Sequence, residues 1–261
     1  MVKTFTINSI GQFIDHIFNL REINYINGSG YIFRGIRSDK YELSSSLYRN
    51  CGGRYKYTEK RLLQNFKKYA LSIEPRICDS VWTNMVIAQH YGIPTRLLDF
   101  SDSPLVALHF ALTDNEGTDA AVWAVNLSKI HTELLPQKYK IILKKYDAFS
   151  LTIDMLKEME VTIDDYNRDM CDKHFLVIEP PSYNTRIINQ DSLLAILPDA
   201  LDPLDNFFNS VSYEDIAIKY IIPKDKIRLF RVQLDEMNIT ERTLFNDLDG
   251  VAKYLKRKYN V

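Results

Sequence analysis

The chain has 261 residues, and its 33 lysines and arginines against 34 aspartates and glutamates give a formal charge of −1. This balance argues against a protein that binds DNA mainly through its overall charge, although a local basic patch stays open. With 46% apolar and 26% charged residues, the composition is that of an ordered globular protein and excludes low-complexity, collagenous and disordered classes.

Hydrophobic spacing predicts both helices and strands in the first half of the chain. The predicted elements are a helix over 10–20, a strand over 31–33, helices over 58–73 and 80–90, a helix that begins at Ser103, and a strand over 120–126. Ser103 followed by Pro104 is a strong helix start, because serine caps the free N–H groups and proline suits the first helical position.

The second half is less regular. The predicted elements are strands over 174–179, 191–197 and 220–222, and helices over 224–237 and 247–258. The segment 131–170 is charged and only partly helical, which is typical of a peripheral insertion. No linker rich in proline, glycine or serine divides the chain, so we expect one domain over 1–261. Strands mixed with helices without regular alternation favour an α+β fold, with small mixed sheets flanked by helices around one cleft.

The three cysteines, Cys51, Cys78 and Cys171, are widely spaced. This spacing argues against a disulfide framework and against a CxxC zinc site, and it predicts a reducing, cytoplasmic location. The amino-terminal residues show no apolar core of a signal peptide. No apolar run approaches the roughly 18 residues that a membrane span needs, so we expect no membrane partner.

The densest group of reactive side chains lies in the segment 88–104, between two predicted helices. Its candidates are His90, Thr95, Arg96, Asp99 and Ser101. Side chains with chemical roles concentrate on loops that rigid elements hold in place. The structural alternative is that Ser103 caps a helix and Arg96 pairs with Asp99.

Two shorter segments add candidates. Arg34 and Gly35 follow a predicted strand, where an arginine offers a planar fork suited to phosphate and the glycine leaves room for a ligand near the backbone. The segment 186–192 is polar and precedes an apolar run; its structural alternative is a hairpin turn.

Together these segments resemble the FRG domain family, which is named after a Phe-Arg-Gly tripeptide and is common in bacteria and their phages. The matching blocks are Phe33-Arg34-Gly35, the segment 88–100 with Ser103-Pro104-Leu105 and 107–111, Arg186-Ile187 with Gln190, Ile221-Ile222-Pro223, and 244–250. The resemblance spans about residues 25–255. The family usually has a glycine and an aromatic residue after the glutamine, and here Asp191, Ser192 and Leu193 stand in that place.

A second resemblance is to ADP-ribosyltransferases of the Arg-Ser-Glu type. It implies an ADP-ribosyltransferase-like fold and NAD as a substrate. Arg34 and Gly35 would hold the NAD phosphates or ribose, with His90, Thr95, Arg96 and Ser101 as further binding residues. Gln190 would hydrogen-bond the nicotinamide ribose.

The chain departs from that second family in two ways. It lacks a clear Ser-Thr-Ser, and it has Gln190 in place of the family's glutamate. That glutamate stabilises the oxocarbenium-like cation that forms when nicotinamide leaves, and a neutral amide does so far less well. Asp99 or Asp102 is the candidate for that charge, and Gln190 and Asp99 are the predicted catalytic pair. If neither acts, the site binds a nucleotide without turning it over.

Two further hypotheses stay open. His90, Asp99 and His109 could form a metal or hydrolytic centre, but their spacing matches no ligand signature, so we expect no metal. Basic residues interleaved with aromatic ones could grip nucleic acid, although such runs are more often solvated helix faces. These basic residues are Lys138, Lys140, Lys144 and Lys145, and Lys253, Lys256, Arg257 and Lys258 near the carboxyl end.

The two resemblances together imply an NAD-linked enzyme that transfers ADP-ribose to a macromolecular acceptor or hydrolyses NAD, in a bacterial or phage conflict setting. The alternative is a non-enzymatic FRG module that binds a nucleotide, nucleic acid or protein partner.

Overall fold

The computed structural model describes residues 2–22, 30–114, 117–171, 175–182, 185–198, 202–211 and 216–259. Its strands are β1 (Lys3–Thr6), β2 (Tyr31–Ile36), β3 (Leu97–Ser101), β4 (Ala120–Asn126), β5 (Leu151–Thr152), β6 (Leu176–Glu179), β7 (Ser192–Ile196) and β8 (Ala217–Ile222).

The helices of the first half are α1 (Ile10–Glu22), α2 (Ser46–Cys51), α3 (Tyr55–Ala70), α4 (Val81–His90) and α5 (Pro104–Leu112). The later helices are α6 (Leu127–Lys129), α7 (Gln137–Tyr146), α8 (Ile153–Glu158), α9 (Ile163–Asp169), α10 (Thr185–Asn189), α11 (Leu204–Ser210), α12 (Ile227–Glu236), α13 (Glu241–Phe245) and α14 (Leu248–Tyr259). Short 3₁₀ turns precede α3 and α12, and a π-helical turn, Ile130–Leu134, follows α6.

The strands form one mixed sheet in the order β1-β8-β4-β2-β3-β7-β6-β5. The pairs β1–β8 and β5–β6 are parallel, and the other neighbours are antiparallel. The α+β class is confirmed, with one large sheet in place of several small ones. Its two halves meet between β2 and β3, which share a single paired position, Phe33 opposite Ser101.

Capping residues start the helices that flank this junction. Ser80 accepts a hydrogen bond from the Thr83 N–H at the start of α4, and Ser103 accepts one from the Val106 N–H at the start of α5. Such caps satisfy N–H groups that have no partner within the helix and stabilise it by about 1 kcal/mol. The predicted helix start at Ser103 is thus confirmed.

The segment 131–170, expected at the periphery, contributes to the largest apolar cluster. Tyr139, Leu156 and Tyr166 are completely buried there, against Trp82 of α4 and strands β6 and β7. The Trp82 indole N–H donates to the Val161 carbonyl at 2.7 Å. The apolar side chains of the segment therefore pack into the core, and its assignment as an insertion stays a prediction.

Several predicted elements differ in extent. Strand β1 was not predicted, because all four of its side chains are exposed and give no apolar signal. The segment 224–237 begins with a 3₁₀ turn and becomes α12 at Ile227. The expected start of β6 at residue 174 lies outside the described residues, as does most of the segment 27–30, for which the sequence pattern Asn-Gly-Ser-Gly predicts a turn. Within the described part of the chain, no helix combines the length and apolar character that crossing a membrane requires.

Candidate functional site

A cleft of about 950 Å³ lies beside the junction of β2 and β3. Its lining includes Arg34 from β2, Asp99 from β3, His90 from the end of α4, and Gln190 from the turn before β7. These four residues come from three separate sequence segments, and together with Thr95 they were expected to line one cleft. Thr95 does not belong to the lining. The fold therefore brings together the three polar segments that the sequence marks.

Arg34 is held against the neighbouring strand. One of its terminal nitrogens donates to the Asp99 carbonyl, and its Nε is enclosed without a hydrogen-bond partner among the described residues. Burial lowers the pKa of Arg34, the Asp99 carboxylate opposes that shift, and nearby Arg49 adds to it. An arginine stays protonated under such shifts, so the cleft holds an incompletely compensated positive charge.

Three further cations line the same wall, and sequence reasoning missed them. They are Arg37, Lys40 and Arg49. Arg49 lies in the last turn of α2 and donates to the Ser44 carbonyl. Desolvation lowers the pKa of Arg49, and Arg37 adds to that shift. Like charges this close repel one another, and an anion between them relieves the repulsion. No sequence motif between β2 and the end of α2 indicates that these three cations line a cleft.

Asp99 projects from β3 and is exposed. It accepts a hydrogen bond from the Gln89 amide at 3.2 Å, and its charge acts on both Arg34 and Arg49. With Glu42 and Asp114 it is one of three carboxylates in the described lining, against the cations Arg34, Arg37, Lys40, Arg49 and Arg186. The lining is therefore net positive.

Gly35 has a packing role that the sequence interpretation did not include. A Cβ at this position would lie 1.9 Å from the Ala107 carbonyl oxygen and 2.5 Å from the Ala111 nitrogen. Helix α5 thus crosses β2 directly over Gly35, and the helix backbone occupies the space that a side chain would need. Its proposed contact with a ligand stays a prediction.

Arg96 was expected to bind a cofactor or to pair with Asp99, and the structure corrects the pairing. Its guanidinium makes a two-pronged ion pair with Glu59 of α3, at 2.8 and 2.5 Å. It also donates to Asn167 and to the Leu197 and Pro198 carbonyls. Only 2% of Arg96 is exposed, so this residue ties three elements together and does not line the cleft.

Thr95 and Ser101 are also held by internal hydrogen bonds. Thr95 is buried and its hydroxyl donates to the Gln89 side chain. Ser101 lines the cleft, but its hydroxyl donates to the Gln190 carbonyl at 2.7 Å. The Gln190 amide nitrogen in turn donates to the Leu244 carbonyl at 3.3 Å. The amide oxygen of Gln190 can still accept a hydrogen bond from a ligand. Because it carries no charge, it cannot stabilise a cation as a carboxylate does.

The two histidines of the predicted centre lie in different surroundings. His90 is half-buried, and desolvation together with Arg186 and Arg76 lowers its pKa; the imidazole is therefore mostly neutral at pH 7. His109 is buried in α5 against Arg231, and burial lowers its pKa to about 4. Across the residues that the structure describes, no group of three or more metal-binding side chains comes together.

Most of the basic residues of the nucleic-acid hypothesis make contacts within the protein. Lys138 pairs with Asp169 and Lys145 with Glu158. Arg257 binds both Asp235 and Glu241. Ion pairs of this kind are typical of solvated helix faces and use the charges that a nucleic acid would have to bind.

The comparisons with known proteins support the first resemblance. The family model of the FRG domain matches residues 29–120, which contain Phe33-Arg34-Gly35 and the segment 88–104 but neither Arg186 nor Gln190. No curated protein and no solved structure matches the chain. The resemblance to ADP-ribosyltransferases receives no support from these comparisons.

Proposed function

We propose that the cleft binds a small molecule with phosphate groups, of nucleotide size. The observation that carries this proposal is the group of cations Arg34, Arg37 and Arg49 in the cleft lining, in which Arg49 lowers the pKa of Arg34 and Arg37 lowers the pKa of Arg49. The volume of about 950 Å³ falls within the range of about 300–1,000 Å³ for small-molecule sites.

Phosphate fits this wall better than a single carboxylate does. A phosphate group offers several charged oxygens, and arginine presents parallel N–H donors that match them in pairs. Hydrogen bonds to charged groups gain strength in a partly desolvated site. Asp99 lies within the same field, where its carboxylate can accept hydrogen bonds from the hydroxyls of a sugar.

The test is the affinity for ADP, measured by calorimetry on the wild type and on Arg34→Lys. Lysine keeps the charge but loses the planar fork, and losing a charge-assisted hydrogen bond costs about 1.5–3 kcal/mol, or about tenfold to over a hundredfold in affinity. Arg61→Lys is the matched control, because Arg61 is exposed and contacts Tyr57 outside the cleft. A wild-type affinity in Arg34→Lys together with a lower melting temperature would assign Arg34 to the fold alone.

Asp99 supports a second candidate, turnover of NAD. A carboxylate in a cationic cleft can stabilise the positive charge that develops on the ribose as nicotinamide leaves. With Gln190 in the lining of the same cleft, Asp99 would then act in ADP-ribosyl transfer to a macromolecular acceptor or in NAD hydrolysis, in a bacterial or phage conflict setting. Release of nicotinamide, read by mass spectrometry and lost in Asp99→Asn, would support this candidate. Bound but unchanged NAD would leave the cleft as a binding module.

A further inference from the structure

We propose that Arg186 forms a second anion-binding point across the cleft from Arg34, so that the cleft selects ligands with two separated anionic groups. This inference rests on the proposed function, because it names the class of phosphate ligand that the same cleft takes. Arg186 lies on α10 and lines the cleft.

The guanidinium of Arg186 is half-buried and stacked but not neutralised. Its central carbon lies 4.8 Å from the centre of the Phe245 ring. In the part of the chain that the structure describes, it makes no ion pair and donates no hydrogen bond. Its N–H donors are therefore available to an anionic group in the cleft, which Arg186 lines, and hydrogen bonds from a guanidinium to an anion are among the stronger ones.

The two anion-binding points lie on different elements. Arg34 lies on β2, Arg186 lies on α10, which leads into β7, and β3 separates β2 from β7 in the sheet. The two guanidiniums therefore enter the cleft from either side of β3. Asp99, on β3, originates between them. Such an arrangement fits a sugar flanked by two phosphates better than one compact diphosphate.

The wall that carries Arg186 is fixed from behind by the carboxyl-terminal helices. The Asn189 amide donates to the Thr243 carbonyl at 2.9 Å, and Phe110 meets the Phe245 ring edge-on at 6.2 Å. Lys253 lies on the same ring, 5.1 Å from its centre. Phe245 is therefore a positioning residue, because it holds the guanidinium in place without lining the cleft itself.

Two adenine nucleotides of equal phosphate number test this inference. Adenosine 3′,5′-bisphosphate and ADP each carry two phosphates, separated by the ribose in the first and adjacent in the second. We expect the wild type to bind the bisphosphate about tenfold more tightly, the value of one additional charge-assisted hydrogen bond. In Arg186→Gln the two affinities should become equal. Phe245→Leu should reduce the preference about two- to fivefold through the lost cation–π contact.

Arg242→Gln is the matched control. Arg242 also stacks on an aromatic ring, 5.5 Å from the centre of Tyr254, but it does not line the cleft, so this variant should keep the wild-type preference. Equal binding of both nucleotides by the wild type, or an unchanged preference in a folded Arg186→Gln, would overturn the second anion-binding point and leave the first intact. Binding of neither nucleotide would overturn the proposed function together with this inference.

Discussion

Gly35→Ala should destabilise the protein strongly, because the space for its methyl group is filled by backbone. The new Cβ would lie 1.9 Å from the Ala107 carbonyl oxygen. To restore an ordinary contact, helix α5 must move away from β2 by about 1.5 Å, and a close-packed interior resists such a shift. Both colliding atoms, in Ala107 and Ala111, belong to the helix backbone, so no side chain can rotate to relieve the clash.

The expected cost is at the upper end of overpacking, about 3 kcal/mol. At an m-value of about 3 kcal/mol per molar urea, this cost lowers the unfolding midpoint by about 1 M. Gly53→Ala is the control, since a Cβ added there would have no atom within 4 Å and the φ of Gly53 is not in the left-handed region. Equal urea midpoints for Gly35→Ala and Gly53→Ala would refute the packing role of Gly35.

Two further stability predictions follow from buried charges. Glu59→Gln should lower the free energy of unfolding by about 3–5 kcal/mol, because it leaves the Arg96 guanidinium buried without its anion. Asp79→Asn is the control, since Asp79 is exposed and its loss should leave the urea midpoint unchanged. Equal urea midpoints for the two variants would contradict this reasoning. Burial lowers the pKa of both His109 and His131 to about 4, below the value of about 6.5 for an unfolded histidine. The unfolded chain then binds more protons between these values, so stability should fall as the pH is lowered from 7 to 5. The double variant His109→Gln/His131→Gln should weaken this dependence, and urea midpoints that are equal at both pH values in the wild type would refute it.

The sequence predicted helices and strands well where a capping residue or a run of apolar residues marked them. Ser80 and Ser103 start their helices as expected, and the strand over 120–126 is fully buried as β4. Strand β1 could not be predicted, because it pairs with β8 through the backbone while its side chains face solvent. The burial of the segment 131–170 was missed because its apolar positions are separated by many charged ones.

The site was predictable in part. The polar segments around Arg34, Asp99 and Gln190 do converge, since each adjoins one of three neighbouring strands. Arg49 could not be identified as a cleft residue from the sequence, because the chain between β2 and α2 decides where α2 lies in the fold. For Arg96, nearness in sequence favoured Asp99 as its partner, whereas the true partner lies 37 residues away on α3.

The central claim is that Arg34 and Arg49 bind a phosphate group directly, and the guanidinium resonances of the two arginines in NMR spectra test it most closely. The signals are assigned with Arg34→Lys and Arg49→Lys and followed during titration with ADP. We predict that both signals shift in a saturable way, while the signal of Arg96, enclosed in its ion pair with Glu59, stays in place. If the signals of Arg34 and Arg49 do not move up to millimolar ADP, or if Arg96 shifts as much as they do, the claim is contradicted.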